Sequence, residues 1–288
     1  MQSKTYSDLL ALVQALAGVD NFTTAEQTKI LALANRRLYQ AFNASQVWPR
    51  YIHGAQARPA TDNIIAFEYD EAAGVRTTSS ATRSATTVTV VCTAAVDFVA
   101  GMEVTVASLG YVTTNPNGTV TVTGVDTTTV ANDTFTYELD SGTGVETYTG
   151  TGTVSPVAVG DIESPLRVWD ANPFGTVGGG EYEFYVESDG IHVVNNYRSL
   201  GGFWLAYRQQ WPGPYLSSAT DIPLEFFYYA AHAAYADFLR MDGQIDKALA
   251  EEQAAQAFLL LEIDKAESQR NNNAIIRRIS THNSRMAR

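Results

Sequence analysis

The sequence predicts an α+β protein: a helical bundle drawn from both chain ends carrying an antiparallel sheet, with an inserted all-β module that is a sandwich or a barrel. Three observations predict it. Apolar side chains recur every three or four residues over 5–42 and again over 220–269, the period of amphipathic helices. Between these regions, short runs alternate polar and apolar residues and are punctuated by Gly, Asn and Asp, the pattern of strands and tight turns. Within that β region the composition shifts: residues 75–157 are rich in Thr, Val, Gly and Ser and nearly free of Lys and Arg. The expected division is a core made of 1–74 and 158–270, an inserted β-module at 75–157, and a basic tail at 271–288.

Taken in order, Tyr6, Leu9, Leu10, Val13, Leu16 and Ala17 fall on one helical face, and Gly18 ends it. Thr24-Ala25-Glu26-Gln27 offers a capping box, with the Thr24 hydroxyl capping the turn and Gln27 reaching back. The second helix runs through Ile30, Leu33, Ala34, Leu38, Ala41 and Phe42, with Arg36 and Arg37 on its flank as a solvated or ion-paired face. It ends before Val47-Trp48-Pro49, because the residue before a proline disfavours helix.

Residues 50–74 are mixed, with one strand expected at 64–69. In the Thr/Val-rich module, alternation is strong at 86–93, 103–109, 118–125, 134–139 and 146–154. Further strands are expected at 166–170 and 203–208, with a hairpin of 181–187 and 190–195 across Ser188-Asp189-Gly190. The strands at 64–69, 166–170, 181–187, 190–195 and 203–208 are expected to form one sheet on the helical base. Trp211-Pro212-Gly213-Pro214 forces a turn before the closing helices.

In the closing stretch, Thr220 or Asp221 can cap a helix and Pro223 suits its first turn, where a missing N–H costs nothing. Phe226, Phe227, Ala230, Ala234 and Phe238 make one greasy face, Asp242-Gly243 breaks the run, and Ile245, Ala248, Leu249, Ala255, Leu259, Ile263 and Ala266 make a second. Such a pair needs a partner helix, and the other helical region is at the far end of the chain, so the two ends are expected to meet. After Asn271-Asn272-Asn273 the chain is polar and basic, expected to be disordered or ordered by another molecule.

Composition narrows the function. Across 288 residues the net charge is −12, which makes the chain a poor non-specific binder of nucleic acid. The charge is uneven: from Ser268 onward there are five Arg and no acid, so that tail carries +5 and the rest −17. The tail has three open readings: binding nucleic acid, docking on an acidic protein surface, or disorder. A single cysteine, Cys92, excludes an internal disulfide and a multi-cysteine zinc site, and its run VTVVCT marks it as a small core hydrophobe. The opening MQSKTYSDLL has no long apolar region and no apolar run approaches about 18 residues, so a protein made in a cytosol and kept out of membranes is expected.

No catalytic constellation stands out. His53, His192, His232 and His282 lack metal-ligand spacing. Gly178-Gly179-Gly180 precedes a strand rather than the helix a phosphate loop needs, and reads as a flexible loop. The aromatics Trp48, Tyr51, Trp169, Trp204, Tyr207, Trp211 and Tyr215 read as packing between sheet and helices, or as a platform for sugars or bases. Glu251, Glu252 and Glu262 read as a solvated helix face or as acids lining a channel. A glycan hydrolase would need two carboxylates about 5–10 Å apart in a cleft. Its candidates, Glu181, Glu183 and Glu187, alternate along one expected strand as an exposed face.

The order of the parts goes further. The opening SDLLALVQALAG and AEQTKILALANRRLYQAFNASQVWPRY, the segments PLRVWDANPFG, YEFYVESDGIHV and FWLAYRQQWP, and the closing DIPLEFFYYAAHAAYADFLRMDGQIDKALAEEQAAQAFL resemble the head-to-tail adaptor (connector) proteins of tailed bacteriophages. The resemblance covers roughly 5–70 and 160–270 and is one of helix, aromatic and turn positions. VAGMEVTVASLGY, NGTVTVTGV and TFTYEL resemble β-modules carried by phage virion proteins, a departure from a minimal adaptor.

The resemblance implies a structural virion protein, not an enzyme, with no cofactor. It would be assembled in the bacterial host cytoplasm and sit at the head–tail junction. Its copies, commonly twelve, would form a ring beneath the portal protein and offer a surface to the tail or a nozzle protein. Genomic DNA would pass through without sequence-specific binding. Composition and family habit together place portal or neighbour-subunit docking on Ile275, Ile276, Arg277, Arg278 and Arg285, and possible channel-lining acids at Glu251, Glu252 and Glu262. The rival reading is a glycan-binding or fibre-like virion protein with 75–157 as its working part.

Overall fold

The computed structural model describes residues 2–69, 74–127, 133–148, 151–157, 161–175, 179–194 and 201–286, with side chains as far as residue 269 in the last stretch. Its class is α+β, with a closed β-barrel as the β-module. The chain divides into a helical body, Met1–Ile52 with Trp211–Arg288, and a β body, His53–Gln210. The 158–210 stretch, expected to group with the helices, belongs to the same compact unit as the Thr/Val-rich module.

The helical body holds α1 (Tyr6–Ala17), α2 (Thr24–Asn43), α3 (Leu224–Met241) and α4 (Ile245–Met286), with two-residue strands β1 (Ser3–Lys4) and β16 (Ile222–Pro223). Helix α1 is closed at both ends. The Asp8 N–H donates to Thr5 Oγ1 at 3.0 Å, and Gly18 takes a left-handed φ of 68°. The capping box of α2 lies one residue earlier than expected. The Thr23 N–H donates to Glu26 Oε2 at 2.8 Å, and Glu26 at the third helical position reaches back better than Gln27 could from the fourth.

The start of α3 also differs. Neither Thr220 nor Asp221 caps it: Ile222 and Pro223 pair in antiparallel register with Lys4 and Ser3, and the Leu224 N–H donates to the Gln2 carbonyl at 3.3 Å. Backbone from the opposite end of the chain thus does the work of a side-chain cap. The interior of α3 is buried nearly all round, with Phe226, Ala230, Ala231, Ala233 and Ala234 inside. They share one core with Leu9, Val13, Ile30, Leu38, Phe42 and Trp48 from the opening helices and with Ala248, Ala255 and Ala266 from α4. The basic tail, expected to be disordered or ordered by another molecule, has a backbone that continues α4 as helix past Asn271-Asn272-Asn273 to Met286. Asparagine is a middling helix former, costing a few tenths of a kcal/mol per residue relative to alanine, too little to end a long helix already nucleated.

In the β body, β2 (Ile52–Pro59), β11 (Ile162–Trp169), β12 (Glu181–Tyr182) and β15 (Gly202–Gln209) form a four-stranded sheet in the order β12-β11-β15-β2. Strands β3 (Ile64–Ile65), β13 (Phe184–Glu187) and β14 (Gly190–Val193) form a separate three-stranded sheet. The single sheet expected from these strands is therefore two. The run 181–187 breaks at Glu183, so that Tyr182 pairs with Val168 while Phe184 pairs with Val193. Both sheets feed one core through Ile65, Val168, Ile191, Phe203, Leu205 and Tyr207.

The remaining strands are β4 (Arg76–Ser84), β5 (Thr87–Cys92), β6 (Glu103–Ala107), β7 (Gly118–Asp126), β8 (Thr134–Glu138), β9 (Val145–Tyr148) and β10 (Thr153–Pro156). Six close into a barrel in the order β10-β6-β7-β8-β5-β4, completed by β10 returning to β4, while β9 lies farther along the same edge of β4. Alternation dictates the inside: Val88, Val90 and Cys92 from β5, Val104 and Val106 from β6, and Phe135 and Tyr137 from β8 are all buried. Closure removes the unpaired strand edges that an open sheet of this composition would expose.

Candidate functional site

The helical body carries the residues singled out at 251–285, and its seam is held by a charged knot. Arg37 on α2 makes two parallel bonds to Asp237 on α3, Nε to Oδ2 at 2.7 Å and Nη2 to Oδ1 at 2.7 Å. The same guanidinium reaches Glu252 on α4 at 2.8 and 3.0 Å. Arg36 and Arg240 complete the shell around Asp237, at 2.6 and 2.9 Å. The Arg37 and Asp237 side chains are only 10% and 7% exposed. Burial alone would push the Asp237 carboxyl up, but the Arg37 and Arg36 guanidiniums outweigh it and hold the group below the ordinary carboxylate range. Arg37, hydrogen-bonded to Asp237 against the opposing pull of burial, is held charged. Of the two readings of Arg36 and Arg37, the ion-paired one holds.

The three acids proposed as channel lining are each engaged by a basic side chain of the same chain. Glu252 bonds Arg37 and Arg240, Glu251 Oε2 lies 2.7 Å from His232 Nδ1, and Glu262 pairs with Lys265. The His232 ring also stacks on Phe258 with centroids 5.2 Å apart, and Phe258 stacks on Tyr228 at 5.6 Å. These contacts sit on the flank where α4 meets α3. They do not form one strip of free carboxylates.

The opposite face of α4 is bare. Leu249, Leu260 and Leu261 are 55%, 60% and 52% exposed, and Ala250, Gln253 and Ala257 between them are exposed too. At 100° per residue these six share the side of the helix turned away from Ala248, Ala255 and Ala266. No charge interrupts them, and acids stand at both ends: Asp246 before, Asp264 and Glu267 after. The side chains of Ile275, Ile276, Arg277, Arg278 and Arg285 lie outside the described residues; their backbone belongs to α4.

Outside the helical body, two groupings bear on chemistry. Glu187, Asp189 and His192 bring ligand-type atoms within 4.8 Å of one another at the β13–β14 hairpin. The Asp189–His192 hydrogen bond at 2.7 Å accounts for the approach as a turn-closing contact, and it draws the Asp189 carboxyl down. The hydrolase candidates are dispersed: Glu181 and Glu187 fall in different sheets, both more than half exposed. A cavity of about 410 Å³ runs along β2, lined by His53, Gln56, Glu103, Thr121 and Trp204 among others.

Sequence reasoning missed Glu252 as a structural anchor, because its partners Arg37 and Arg240 lie 215 and 12 residues away and no local pattern links all three. Among the described residues, no helix is long and apolar enough to cross a membrane. Comparison with protein-family models, with curated proteins and with solved structures finds no match to the chain.

Proposed function

We propose that this chain is a structural protein of a tailed-phage virion, a head-to-tail adaptor. Its copies form a ring beneath the portal, join the capsid vertex to the tail or a nozzle protein, and surround the path of the DNA. The observation that carries the reading is the common core of the two chain ends: α1 and α2 pack with α3 and α4 in one body. That is the order of parts the resemblance led us to expect, and it leaves one long helix with a bare apolar side. Such a face suits packing against neighbouring subunits around a closed ring.

In this reading the Arg-bearing end of α4, with Ile275, Ile276, Arg277, Arg278 and Arg285, docks on the portal or a neighbouring subunit. DNA is repelled by the −17 carried by the rest of the chain rather than by a strip of free carboxylates, since Glu251, Glu252 and Glu262 are each bonded by a basic side chain of the same chain. The test is negative-stain imaging of the purified chain mixed with purified portal rings. A ring of added density on one portal face is expected. Bare portals at saturating chain overturn the proposal.

A second reading, glycan binding by the β body, has one observation in its favour: the 410 Å³ cavity, where an indole lies beside amide, carboxylate and imidazole groups. Binding on a glycan array, abolished by Trp204→Ala, with no density on portals, selects it.

A further inference from the structure

We infer that the bare face of α4 is the seat for the basic end of α4 from a second copy of this chain. The seat is Leu249, Ala250, Gln253, Ala257, Leu260 and Leu261, an uncharged surface about three turns long. Exposed leucines at this density on a helix mark a contact surface rather than a solvated face.

Charge chooses the occupant. Asp246 guards one end of the seat and Asp264 and Glu267 the other. Pairing two identical seats across a two-fold axis, helices antiparallel, would set these acids against each other. A segment that is apolar in the middle and cationic beside it fits instead. The chain supplies one such segment: 270–288 has Ile275 and Ile276 beside Arg277 and Arg278, five Arg in all counting Arg270, Arg285 and Arg288, and no acid.

Geometry then excludes the same copy as donor. Helix α4 is continuous from Ile245 to Met286. Along such a helix, residue 275 stands about 21 Å from residue 261 and moves away from the seat, not over it. Only another copy can bring that end to the seat. The contact is head-to-tail, so it propagates into a ring or an open array depending on the angle between copies. The inference deepens the self-assembly part of the proposed function, but it concerns contacts between copies alone and stands whether or not a portal is the partner.

The test uses full-length chains. One variant destroys the seat and keeps the tail (Leu260→Glu with Leu261→Glu). The other destroys the tail and keeps the seat (Arg277→Glu with Arg278→Glu). Circular dichroism melts should show both folded, since the seat side chains are exposed. In sedimentation velocity over a concentration series, the unmodified chain should exceed monomer mass and each variant alone should stay monomeric. A mixture of the two should form a one-to-one heterodimer that grows no further, because the only working seat and the only working tail are then used up. Raising the salt should dissociate it. A monomeric unmodified chain at every concentration overturns the inference. So do variants that assemble as the unmodified chain does, or a mixture that stays monomeric, which would point to identical seats pairing or to a foreign partner. Retained portal binding by the seat variant would show that the two proposals fail separately.

Discussion

Gly101 lies directly against the indole of Trp204: a Cβ built on Gly101 would fall 2.0 Å from the ring. Gly101 begins the approach to β6 of the barrel and Trp204 belongs to β15 of the four-stranded sheet, so this contact joins the two halves of the β body. Gly101 also has a φ of +94°, a region that disfavours side chains. Gly101→Ala should cost about 2–4 kcal/mol, the sum of an overpacking and a backbone penalty. Gly144→Ala is the control, since its φ is +75° but nothing lies within 4 Å. It should cost only about 1 kcal/mol. Urea unfolding followed by tryptophan fluorescence measures both.

Removing one member of the charged knot should be costly. Asp237→Ala strips buried Arg37 of its two parallel bonds, leaving it Glu252 and Gln40, and should destabilise the helical body by about 3 kcal/mol, the low end for a broken buried pair. The double substitution Arg37→Met with Asp237→Leu should recover most of that loss. A thermodynamic cycle from guanidinium titrations reads the coupling.

Acid should loosen the barrel through Glu146. Its carboxylate accepts from the Thr113 hydroxyl and from the Thr113 and Val112 amides at 3.0 and 2.8 Å, and it pairs with Arg83 at 3.1 Å. The Thr113 bonds, hydroxyl then amide, followed by the Val112 amide, hold it at about 2, against an ordinary 4.5. A depressed carboxylate stabilises the fold fully above its unfolded value and loses that contribution as pH falls. Stability should therefore hold above pH 4.5 and decline from there towards pH 2. Glu146→Gln should flatten that part of the urea-midpoint curve. An unchanged slope would assign the acid sensitivity elsewhere.

Cys92 should be inert in the folded protein. Burial pushes its thiol up to about 11, and the side chain is fully enclosed in the barrel. At pH 8 a disulfide reagent should label it at least about 100-fold more slowly in buffer than in urea. Equal rates would mean the barrel opens readily.

Much of this architecture could be read from residue order. The apolar period placed all four helices, and alternation placed the barrel strands at 87–92, 103–107 and 134–138 within a residue or two. Two strands escaped because they carry little apolar signal: β4 buries Thr78, Ala81 and Arg83, and β2 buries only Ala57 and Arg58. Arg83 is buried because Glu146 and two carbonyls receive it, a set of partners assembled only by the closed barrel. The bare face of α4 was hidden for the opposite reason. Leu249 and Leu259 look equivalent in a list of periodic apolar residues, yet one is exposed and the other packs against the core.

The bonds between Arg37 and Asp237 span 200 positions of chain. During synthesis, the first two helices therefore emerge long before α3 and α4 exist to cover them. Closing so long a loop as random coil costs configurational entropy, but a β body that has already folded brings its own ends, and hence the waiting segments, together. The helical body is thus expected to mature late, once α3 and the part of α4 up to Ala266 have emerged to cover the opening helices.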